Sequence, residues 1–600
     1  MTLLLIIAAA WFTGGMLIQH SSSDNSFLWG CIRLQLGFCL VGLIGLVIGS
    51  FSLAWAQVVL AILVILGMAW EYTHNRDAGV GLKTIKHQKV FFIQGKFSIF
   101  CSLVLLLTLI IAFLAALAPS TEINATTYIL ALAESYAQTG YINLVVGNES
   151  ATGPHLAQVL YTLALFRGSE LMVTLLAWSF GLIVCILCYQ LGHWAGGISV
   201  AVTGTVFSVT APVFWFHWNN LSSILFTSGL ILSALILLLM NSHKESNKFS
   251  NLAIAALFLG SATGVDSNSW IALLLCLPLV IQYSGKLWLK HCSCFLGIAV
   301  LAASPWILRN TLLAGEFSLP ILHSYFTAYM PDIPQSTEAE PTIRQYLMLP
   351  WDLVFRPERW GGTYFVHSVW LLLFGLPACF LVNKKGLVLL AFSIAGAAIT
   401  WWFTTNPVVL LPYLLPLGPV AAMSLQKMGH VRKVLLPAVI LLLAFQPIHQ
   451  FIVSREALYT VVGKTSRESY LRDQIPNYPL FTQISQVLQS ADTILLPLPH
   501  TWYVRGKVYA DRTMMMELVS LPVAIQHSVL REKNINMVIV PLQKDALADW
   551  LSPEIHTMLL NWRHHPELFR QVRLLDFPRP HAPGVNRYAL LVLADTPLED

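Results

Sequence analysis

The sequence predicts a polytopic α-helical membrane protein with a C-terminal α/β domain outside the membrane, and three observations support this fold class. First, 56% of the 600 residues are hydrophobic and only 11% are charged, whereas a soluble globular protein carries about 25% charged residues. Second, apolar runs close to the ~20 residues that span a bilayer recur through the first three quarters of the chain. Third, the later apolar runs shorten to the length of β-strands.

About fourteen spans are predicted from the apolar runs. The first run lacks the positively charged start of a cleavable signal, so it is interpreted as a retained span. The predicted spans begin near Leu3, Phe27, Ser52, Phe97, Ser169, Trp194, Asn220, Asn251, Ser269, Cys292, Ser368, Leu387, Val408 and Val434.

Lysine and arginine residues predict the orientation, because short cytoplasmic loops of membrane proteins are enriched in both. Even numbers of spans separate five basic loops, so all five lie in the cytoplasm together. This places two long polar loops (119–166 and 309–367), Asp266 and the C-terminus on the outer side. The basic loops lie at 76–96, 244–248, 286–290, 384–385 and 427–433.

The changes in apolar run length and in charge along the chain predict three domains. Residues 1–96 are predicted to form extra N-terminal spans and a basic cytoplasmic loop, 97–452 a membrane domain with two large outer loops, and 453–600 the α/β domain. A helical pattern at 480–488 alternates with strand-like runs in this tail. The tail holds no Gly-rich phosphate loop and no cysteine, so it is not a disulfide scaffold. The strand-like runs are 493–496, 537–540, 572–575 and 588–593.

Few ionisable residues lie within the spans, and charges collect in the outer loops. This distribution favours chemistry at the membrane surface over transport through the bilayer. No two halves of the chain show matching interrupted helices, which also disfavours a transporter. The chain has no basic run with interleaved aromatic residues, so no nucleic-acid partner is predicted.

The second outer loop is rich in charged residues. Arg309 directly follows an apolar run, and the string LPWDLVFRPERWGG (349–362) adds Asp352, Arg356 and Arg359. Arginine offers a bidentate fork to an anionic group such as a lipid phosphate. A surface network of arginine and acidic side chains is the alternative interpretation.

The first outer loop carries an acid beside the membrane. Glu122 follows the predicted Phe97 span, and a carboxylate there would serve as a general base at the membrane surface. The alternative is a solvated acid at the end of a span. Ile129, Leu132 and Tyr136 then share one face of a predicted amphipathic helix at the membrane interface.

Five strings follow one another along the chain. They are NATTYILALAESYAQTG (124–140), Pro154 with AQVLYTLAL (157–165), SPWILRNTLLAGEFSLP (304–320), LPWDLVFRPERWGG (349–362) and TTNPVVLLPYLLPL (404–417). In this order they resemble the multi-spanning glycosyltransferases of the GT-C class, in the bacterial branch related to dolichyl-phosphate-mannose-type protein mannosyltransferases and lipid A aminoarabinose transferases. The resemblance implies a GT-C-like fold over about residues 97–425 and transfer of a sugar from a polyprenyl-phosphate carrier.

Several charged positions of the family pattern differ in this chain. The family's first-loop acid falls on Asn124, which cannot take up a proton at neutral pH, and the following histidine falls on Ile129. Glu122 is therefore expected to be the base, with Asn124 positioning the acceptor. A family lysine is replaced near Asp266. The residues expected to bind substrate are Tyr128, Asp266, Arg309, Asp352, Arg356 and Arg359.

The resemblance leaves the cofactor open. The family acid is thought to act as a base or to hold a metal, so a divalent cation is compatible with the pattern. A lone carboxylate binds such an ion only weakly without further ligands. No metal ligand is therefore assigned.

The leading hypothesis is a glycosyltransferase of the bacterial inner membrane, with a periplasmic C-terminus. It would pass a sugar from a polyprenyl-phosphate carrier to a lipid, glycan or protein. The first alternative is a catalytically degenerate member that binds a lipid-linked glycan or a partner enzyme, because the family acid and histidine are missing. The second is a transporter of lipid-linked sugar. The predicted partners are the lipid-linked sugar and membrane lipid, and no oligomeric state is predicted.

Overall fold

A computed structural model gives the architecture of the chain. It describes residues 2–18, 26–77, 95–143, 145, 148, 151, 153, 155–240, 248–314, 381–404, 407–488, 492–543, 551–578 and 585–594.

Helices dominate the first three quarters of the described chain. They are α1 (Thr2–Leu17), α2 (Ser26–Gly49), α3 (Leu53–Asp77), α4 (Lys96–Ala116), α5 (Leu130–Thr139), α6 (Leu156–Leu165), α7 (Glu170–Gly196), α8 (Ile198–Val209), α9 (Pro212–Asn219), α10 (Ile224–Met240), α11 (Lys248–Thr263), α12 (Trp270–Ser284), α13 (Trp288–Ala314), α14 (Lys384–Phe403), α15 (Leu411–Leu414), α16 (Leu417–Lys427) and α17 (Gly429–Val453).

Seven described helices are long and apolar enough to cross a membrane, or up to nine if each of two bent pairs counts as one span. Five shorter apolar helices of 10–17 residues accompany them. The chain is therefore a multi-pass membrane protein, as the composition predicts. The count of fourteen spans stays a prediction, and the span expected from Ser368 begins outside the described residues.

The span predicted from Trp194 is not a straight helix. Helices α8 and α9 meet at 69°, because Pro212 begins α9 and the preceding Ala211 is extended, as the residue before a proline prefers. Helices 408–414 and 417–427 form a second pair, bent by 46°. The sequence did not predict these two interruptions, whereas the expectation that no two halves of the chain show matching interrupted helices stays a prediction.

The three N-terminal helices are joined by close packing and by one ion pair. A Cβ added at Gly37 of α2 would lie 1.6 Å from the Ala10 carbonyl oxygen of α1, so only glycine permits this approach. Arg33 of α2 donates from Nε to the Trp11 carbonyl at 2.6 Å and pairs through Nη2 with Glu71 of α3. One buried arginine thus connects all three helices.

The C-terminal part contains a five-stranded mixed sheet of order β2-β1-β3-β5-β4. β1 is parallel to β2 and β3, whereas β5 is antiparallel to β3 and β4. The small sheet domain is thus confirmed, and β2 is a strand that the sequence did not predict. The strands are β1 (Thr493–Leu495), β2 (Lys507–Tyr509), β3 (Met537–Pro541), β4 (Phe569–Pro578) and β5 (Val585–Leu593).

Short helices precede and cover this sheet. The predicted 480–488 helix is present as α20. The helices are α18 (Arg455–Val461), α19 (Arg467–Gln474), α20 (Tyr478–Val487), α21 (Arg512–Val519), α22 (Val523–Glu532) and α23 (Pro553–Trp562).

The chain forms two compact units. The membrane unit consists of Met1–Ala118, Tyr136–Ile142 and Pro154–Leu458. The C-terminal unit consists of Pro119–Ser135, Asn143–Gly153 and Tyr459–Asp600. Two segments of the first outer loop, 119–135 and 143–153, thus belong to the same unit as the sheet.

Candidate functional site

Glu122 caps the helical turn that opens the first outer loop. Its Oε2 accepts a 2.6 Å hydrogen bond from the Ala125 N–H. Its carbonyl accepts from the Thr126 N–H at 3.1 Å and the Thr126 hydroxyl at 2.8 Å. An acceptor three residues before a helical N–H is an N-cap, so the helix start orients the half-buried carboxylate.

The capped segment is a π-helical turn. Residues Ala125–Ile129 form it, and α5 follows directly. Short π-helical turns occur frequently at functional sites. Asn124 precedes the turn and is exposed, whereas Tyr128 lies within it and is half-buried. The structure thus brings Glu122, Asn124 and Tyr128 together on one turn, which we name the first-loop turn (122–129).

The apolar face of α5 exists but lies inside the protein. Leu132, Ala133 and Tyr136 are each 0% exposed. The expectation that this face rests on the membrane surface is therefore wrong. Tyr136 on this face is buried because it is the hydrogen-bond partner of a buried arginine in the membrane unit.

His500 of the C-terminal unit binds the first-loop turn. Its Nδ1 lies 2.8 Å from Thr126 Oγ1, and its backbone N–H donates to Thr127 Oγ1 at 2.9 Å. Thr501 Oγ1 donates to the Thr127 carbonyl, and the Tyr503 hydroxyl donates to the Ser120 carbonyl at 2.5 Å. Burial lowers the pKa of His500 to about 4, so the ring is neutral at physiological pH.

Arg309 forms a second cluster, in the membrane unit. Its guanidinium donates from Nη2 to the Tyr136 hydroxyl at 2.9 Å and lies 5.1 Å from the Trp306 ring centroid. The His155 ring meets Trp306 edge to face at 4.9 Å. All four side chains are buried, with Arg309 only 6% exposed. We name Tyr136, His155, Trp306 and Arg309 the Arg309 cluster.

Electrostatics in the Arg309 cluster keeps Tyr136 protonated. Burial raises the pKa of Tyr136 to about 12, although the adjacent Arg309 charge opposes that rise. A protonated phenol accepts the guanidinium hydrogen bond through its oxygen and can donate its own proton onward. The cluster thus presents a positive charge next to a neutral hydroxyl.

The SPW string explains the local geometry of α13. Pro305 lies inside the helix and has no N–H to donate to the Leu301 carbonyl. The Ser304 hydroxyl donates to that carbonyl at 2.8 Å instead. Trp306 and Arg309, three residues apart, then share one face of the helix.

Asp266 lies between α11 and α12 and caps the short helical turn that follows. Its Oδ1 accepts from the Asn268 backbone N–H at 3.0 Å and from the Asn268 amide at 3.2 Å. Burial raises the pKa of Asp266, although both hydrogen bonds oppose the rise. The neighbouring Gly264 carbonyl accepts from the Leu156 N–H at the start of α6.

The other predicted site residues lie outside the described part of the chain, namely Asp352, Arg356 and Arg359. Within the described ranges, no group of three or more His, Cys, Asp or Glu side chains is arranged to hold a metal ion. The described site residues form three groups: the first-loop turn in the C-terminal unit, and Arg309 and Asp266 in the membrane unit.

Sequence reasoning did not predict that the N-terminal helices form hydrogen bonds with the first loop. The turn between α2 and α3 makes two 2.7 Å backbone hydrogen bonds with the segment of that loop that directly follows α5: Leu53 N–H to the Gly140 carbonyl, and Ile142 N–H to the Gly49 carbonyl. The contact depends on backbone atoms and therefore leaves no side-chain pattern.

Two ionisable residues were also missed. A single arginine in an apolar span, such as Arg33, is by itself a signal of a buried partner, and this signal was overlooked. His500 carries no comparable signal, because its contact with Thr126 spans 374 residues.

Comparison with known proteins identifies the fold. No protein-family model matches the chain, and no curated protein matches it. Among solved structures, ArnT from Cupriavidus metallidurans, bound to undecaprenyl phosphate, matches with a TM-score of 0.50 and 13% identity over 83% of this chain and 98% of that one. This likeness shows that the chain has the fold of GT-C glycosyltransferases.

Two further solved structures match with lower scores. The mycobacterial arabinofuranosyltransferase AftD has a TM-score of 0.44 and 14% identity, over 82% of this chain and 40% of that one. The Archaeoglobus fulgidus oligosaccharyltransferase has a TM-score of 0.43 and 12% identity, over 83% and 75%.

Proposed function

We propose that this protein is a membrane glycosyltransferase. It moves a sugar from a polyprenyl-phosphate carrier to a lipid, glycan or protein acceptor at the outer face of the bacterial inner membrane. The GT-C fold supports this reaction class, and the similar ArnT structure contains undecaprenyl phosphate. The observation that carries the proposal is the buried Arg309 cluster, in which one cation is held in place by Tyr136 and Trp306.

Arg309 binds the carrier phosphate in this proposal. Sugar transfer leaves the polyprenyl phosphate with additional negative charge, and a fixed cation stabilises that charge best where water is excluded. Arginine suits the role because its planar fork makes two hydrogen bonds to a phosphate. Arg356 and Arg359 add donors to the same phosphate, and Asp352 orients an arginine or the sugar. Asp266 and Tyr128 contact the sugar.

Glu122 acts as the general base and Asn124 positions the acceptor. Glu122 takes the proton of the acceptor hydroxyl, the hydroxyl oxygen forms a bond to the anomeric carbon, and the bond from that carbon to the phosphate oxygen breaks. The electron pair leaves with the polyprenyl phosphate. The N-cap hydrogen bond to Ala125 supports this role because it fixes the direction of the carboxylate.

The membrane topology is part of the proposal. The fourteen spans, the three domains 1–96, 97–452 and 453–600, and the periplasmic position of the tail follow from the charge distribution. The exposed residues Glu532 and Lys427 offer a test. On intact cells, a membrane-impermeant thiol reagent should label Glu532→Cys but not Lys427→Cys, and the reverse pattern would refute the topology.

Activity is tested with purified protein in nanodiscs. Radiolabelled polyprenyl-phosphate sugars serve as donors, a membrane extract supplies acceptors, and the released polyprenyl phosphate is measured. Release should be lost in Glu122→Gln and Arg309→Ala. It should persist in Arg455→Ala, which removes an exposed arginine paired with Glu456. A Glu122→Gln variant with full activity would refute the base assignment.

The second candidate function is binding without turnover. It is favoured by one observation, since the Glu122 carboxylate already serves as a helix cap and Asn124 occupies the family's acid position. A degenerate member of this kind would bind a lipid-linked glycan or a partner enzyme. It predicts tight carrier binding and no released polyprenyl phosphate with any donor.

A transporter of lipid-linked sugar is the third candidate. The two bent helix pairs provide the interrupted helices that transporters use. Movement of a labelled carrier across a sealed vesicle membrane, without release of the sugar, would favour it over transfer.

A further inference from the structure

His500 adopts a backbone conformation that is uncommon for residues other than glycine. Its φ and ψ are 64° and 36°, in the left-handed region. Within the described residues, His500 and Asn534 are the two non-glycine residues with positive φ. Histidine and asparagine enter this region more often than most residues do, but a Cβ still makes it more costly than the right-handed region. Such strain persists where surrounding contacts require it, and it concentrates at functional sites.

The contacts that hold His500 all lead to the first-loop turn. Its ring nitrogen and its backbone N–H engage adjacent residues, Thr126 and Thr127. The next residue, Thr501, donates to the Thr127 carbonyl at 3.2 Å. His500 itself is only 5% exposed. A strained, buried residue is therefore matched to the one turn that carries Glu122 and Asn124.

The Thr126 hydroxyl links His500 to the backbone of the first-loop turn. Its oxygen lies 2.8 Å from His500 Nδ1 and 2.8 Å from the Glu122 carbonyl oxygen. The imidazole tautomer sets the direction of the first bond: a ring protonated on Nδ1 donates to Thr126, and a ring protonated on Nε2 accepts from it. In either tautomer the imidazole is hydrogen-bonded to the residue that follows the Glu122 cap.

We infer that His500 is a positioning residue, which holds the first-loop turn in its π-helical form and thereby sets the direction of Glu122. The His500 imidazole is thus one of four contacts by which residues 500–503 hold the first loop. The effect on turnover rests on the proposed function, whereas the effect on the turn itself does not.

Three variants test the inference in the full-length protein. His500→Gly relieves the backbone strain and removes the imidazole that contacts Thr126. In His500→Asn, the asparagine also tolerates positive φ, and its amide can still form a hydrogen bond with Thr126. Asn534→Gly is the matched control, because it places glycine at the other positive-φ position, in the turn before β3.

Amide hydrogen exchange over residues 119–135 is measured first. His500→Gly should raise exchange in the first-loop turn at least about tenfold, whereas His500→Asn and Asn534→Gly should stay within about threefold of the parent protein. Unchanged exchange in His500→Gly would overturn the inference, as would equal exchange in His500→Gly and Asn534→Gly.

Turnover is measured second, with kcat and KM determined separately. A displaced catalytic group costs on the order of 10²-fold in rate, so His500→Gly should lower kcat by about 10- to 100-fold with little change in the donor KM. His500→Asn should restore most of that loss, and its failure to do so with normal exchange would overturn the positioning role. If the parent protein shows no turnover, the proposed function fails, and the exchange experiment alone decides the inference.

A double-mutant cycle identifies the bond that transmits the effect. Thr126→Val removes the hydroxyl that is hydrogen-bonded to His500 Nδ1. Because both changes break the same contact, His500→Gly should add less than about twofold to exchange in a Thr126→Val background. Fully multiplicative effects would show that His500 acts elsewhere.

Discussion

Arg33 and Arg309 are both buried arginines of the membrane unit, but their neighbours differ. Arg33 pairs with the Glu71 carboxylate and donates to the Trp11 carbonyl. Arg309 donates to the neutral Tyr136 hydroxyl and lies over Trp306. The first arrangement joins three helices through an ion pair, whereas the second holds a guanidinium against a phenol and an indole. From these neighbours we propose a structural role for Arg33 and a phosphate-binding role for Arg309.

His500 is a third buried basic side chain, and it differs from Arg33 and Arg309 in being uncharged. Its low pKa leaves the ring uncharged, so it can bind the first-loop turn without a counter-charge. Each residue is therefore tested differently: Arg309 by removing its charge, Arg33 by removing its partner, and His500 by lowering the pH.

The largest expected effect is at Arg309. Arg309→Ala should lower kcat/KM for the lipid-linked donor by about 10²- to 10³-fold, or about 3–4 kcal/mol, as loss of a preorganised electrostatic contact does. Arg309→Lys should recover only part of it, because a lysine has no planar fork. Release of polyprenyl phosphate from the lipid-linked donor measures both effects. A fully active Arg309→Ala variant would show that Arg309, like Arg33, has no direct part in turnover.

Acidification should act through His500. The pKa of His500 is lowered in the folded protein, so the unfolded chain binds the additional proton first, and stability falls as pH drops from about 6.5 towards about 4. The His500 contribution to this loss is about 3 kcal/mol. The His500 contribution is measured by comparing the free energy of unfolding of the parent protein with that of His500→Asn across this pH range. Parallel pH profiles of the two proteins would contradict the assignment of this loss to His500.

Glu71→Gln should destabilise without a direct effect on catalysis. It leaves the Arg33 charge without its carboxylate, and breaking a buried pair is costly. Because the Glu71 side chain is 29% exposed, a loss of about 2 kcal/mol in the free energy of unfolding is expected, lower than for a fully buried pair. The kcat of the folded fraction should stay within about twofold. A combined Arg33→Met and Glu71→Met variant should regain much of the stability.

The smallest effect is expected at Asp266. Asp266→Asn keeps a good N-cap residue, so the free energy of unfolding should change by less than about 0.5 kcal/mol. If Asp266 contacts the sugar as proposed, kcat/KM should fall about fivefold, or about 1 kcal/mol. Unchanged kinetics would leave the aspartate with its capping role alone.

Hydropathy predicted most of the helical part of the fold, because a span needs a long apolar run wherever it lies. It did not predict the bend at Pro212, because mean hydropathy does not register the extended conformation that a proline favours in the residue before it. Strand β2 was missed because Lys507–Tyr509 is only three residues long and has no alternating pattern.

The candidate site was predictable only in part. The motif strings pointed to Asn124 and Arg309, which lie within them, and Glu122 was proposed as the nearest acid before the first string. Partners that come from distant parts of the chain were not predictable in the same way. His500 meets Thr126 across 374 residues, and the clamp on Gly140 uses backbone atoms of the α2–α3 turn.

The long-range contact of His500 has a consequence for biosynthesis. Thr126 leaves the ribosome 374 residues before His500, which at about 5–20 residues per second means roughly 20–75 seconds of translation. During that interval the nascent chain carries its proposed base but not the imidazole proposed to orient it. A prematurely terminated chain that ends before His500 would therefore have a first-loop turn without this contact. If the protein transfers a sugar as proposed, only the completed polypeptide would do so at its full rate.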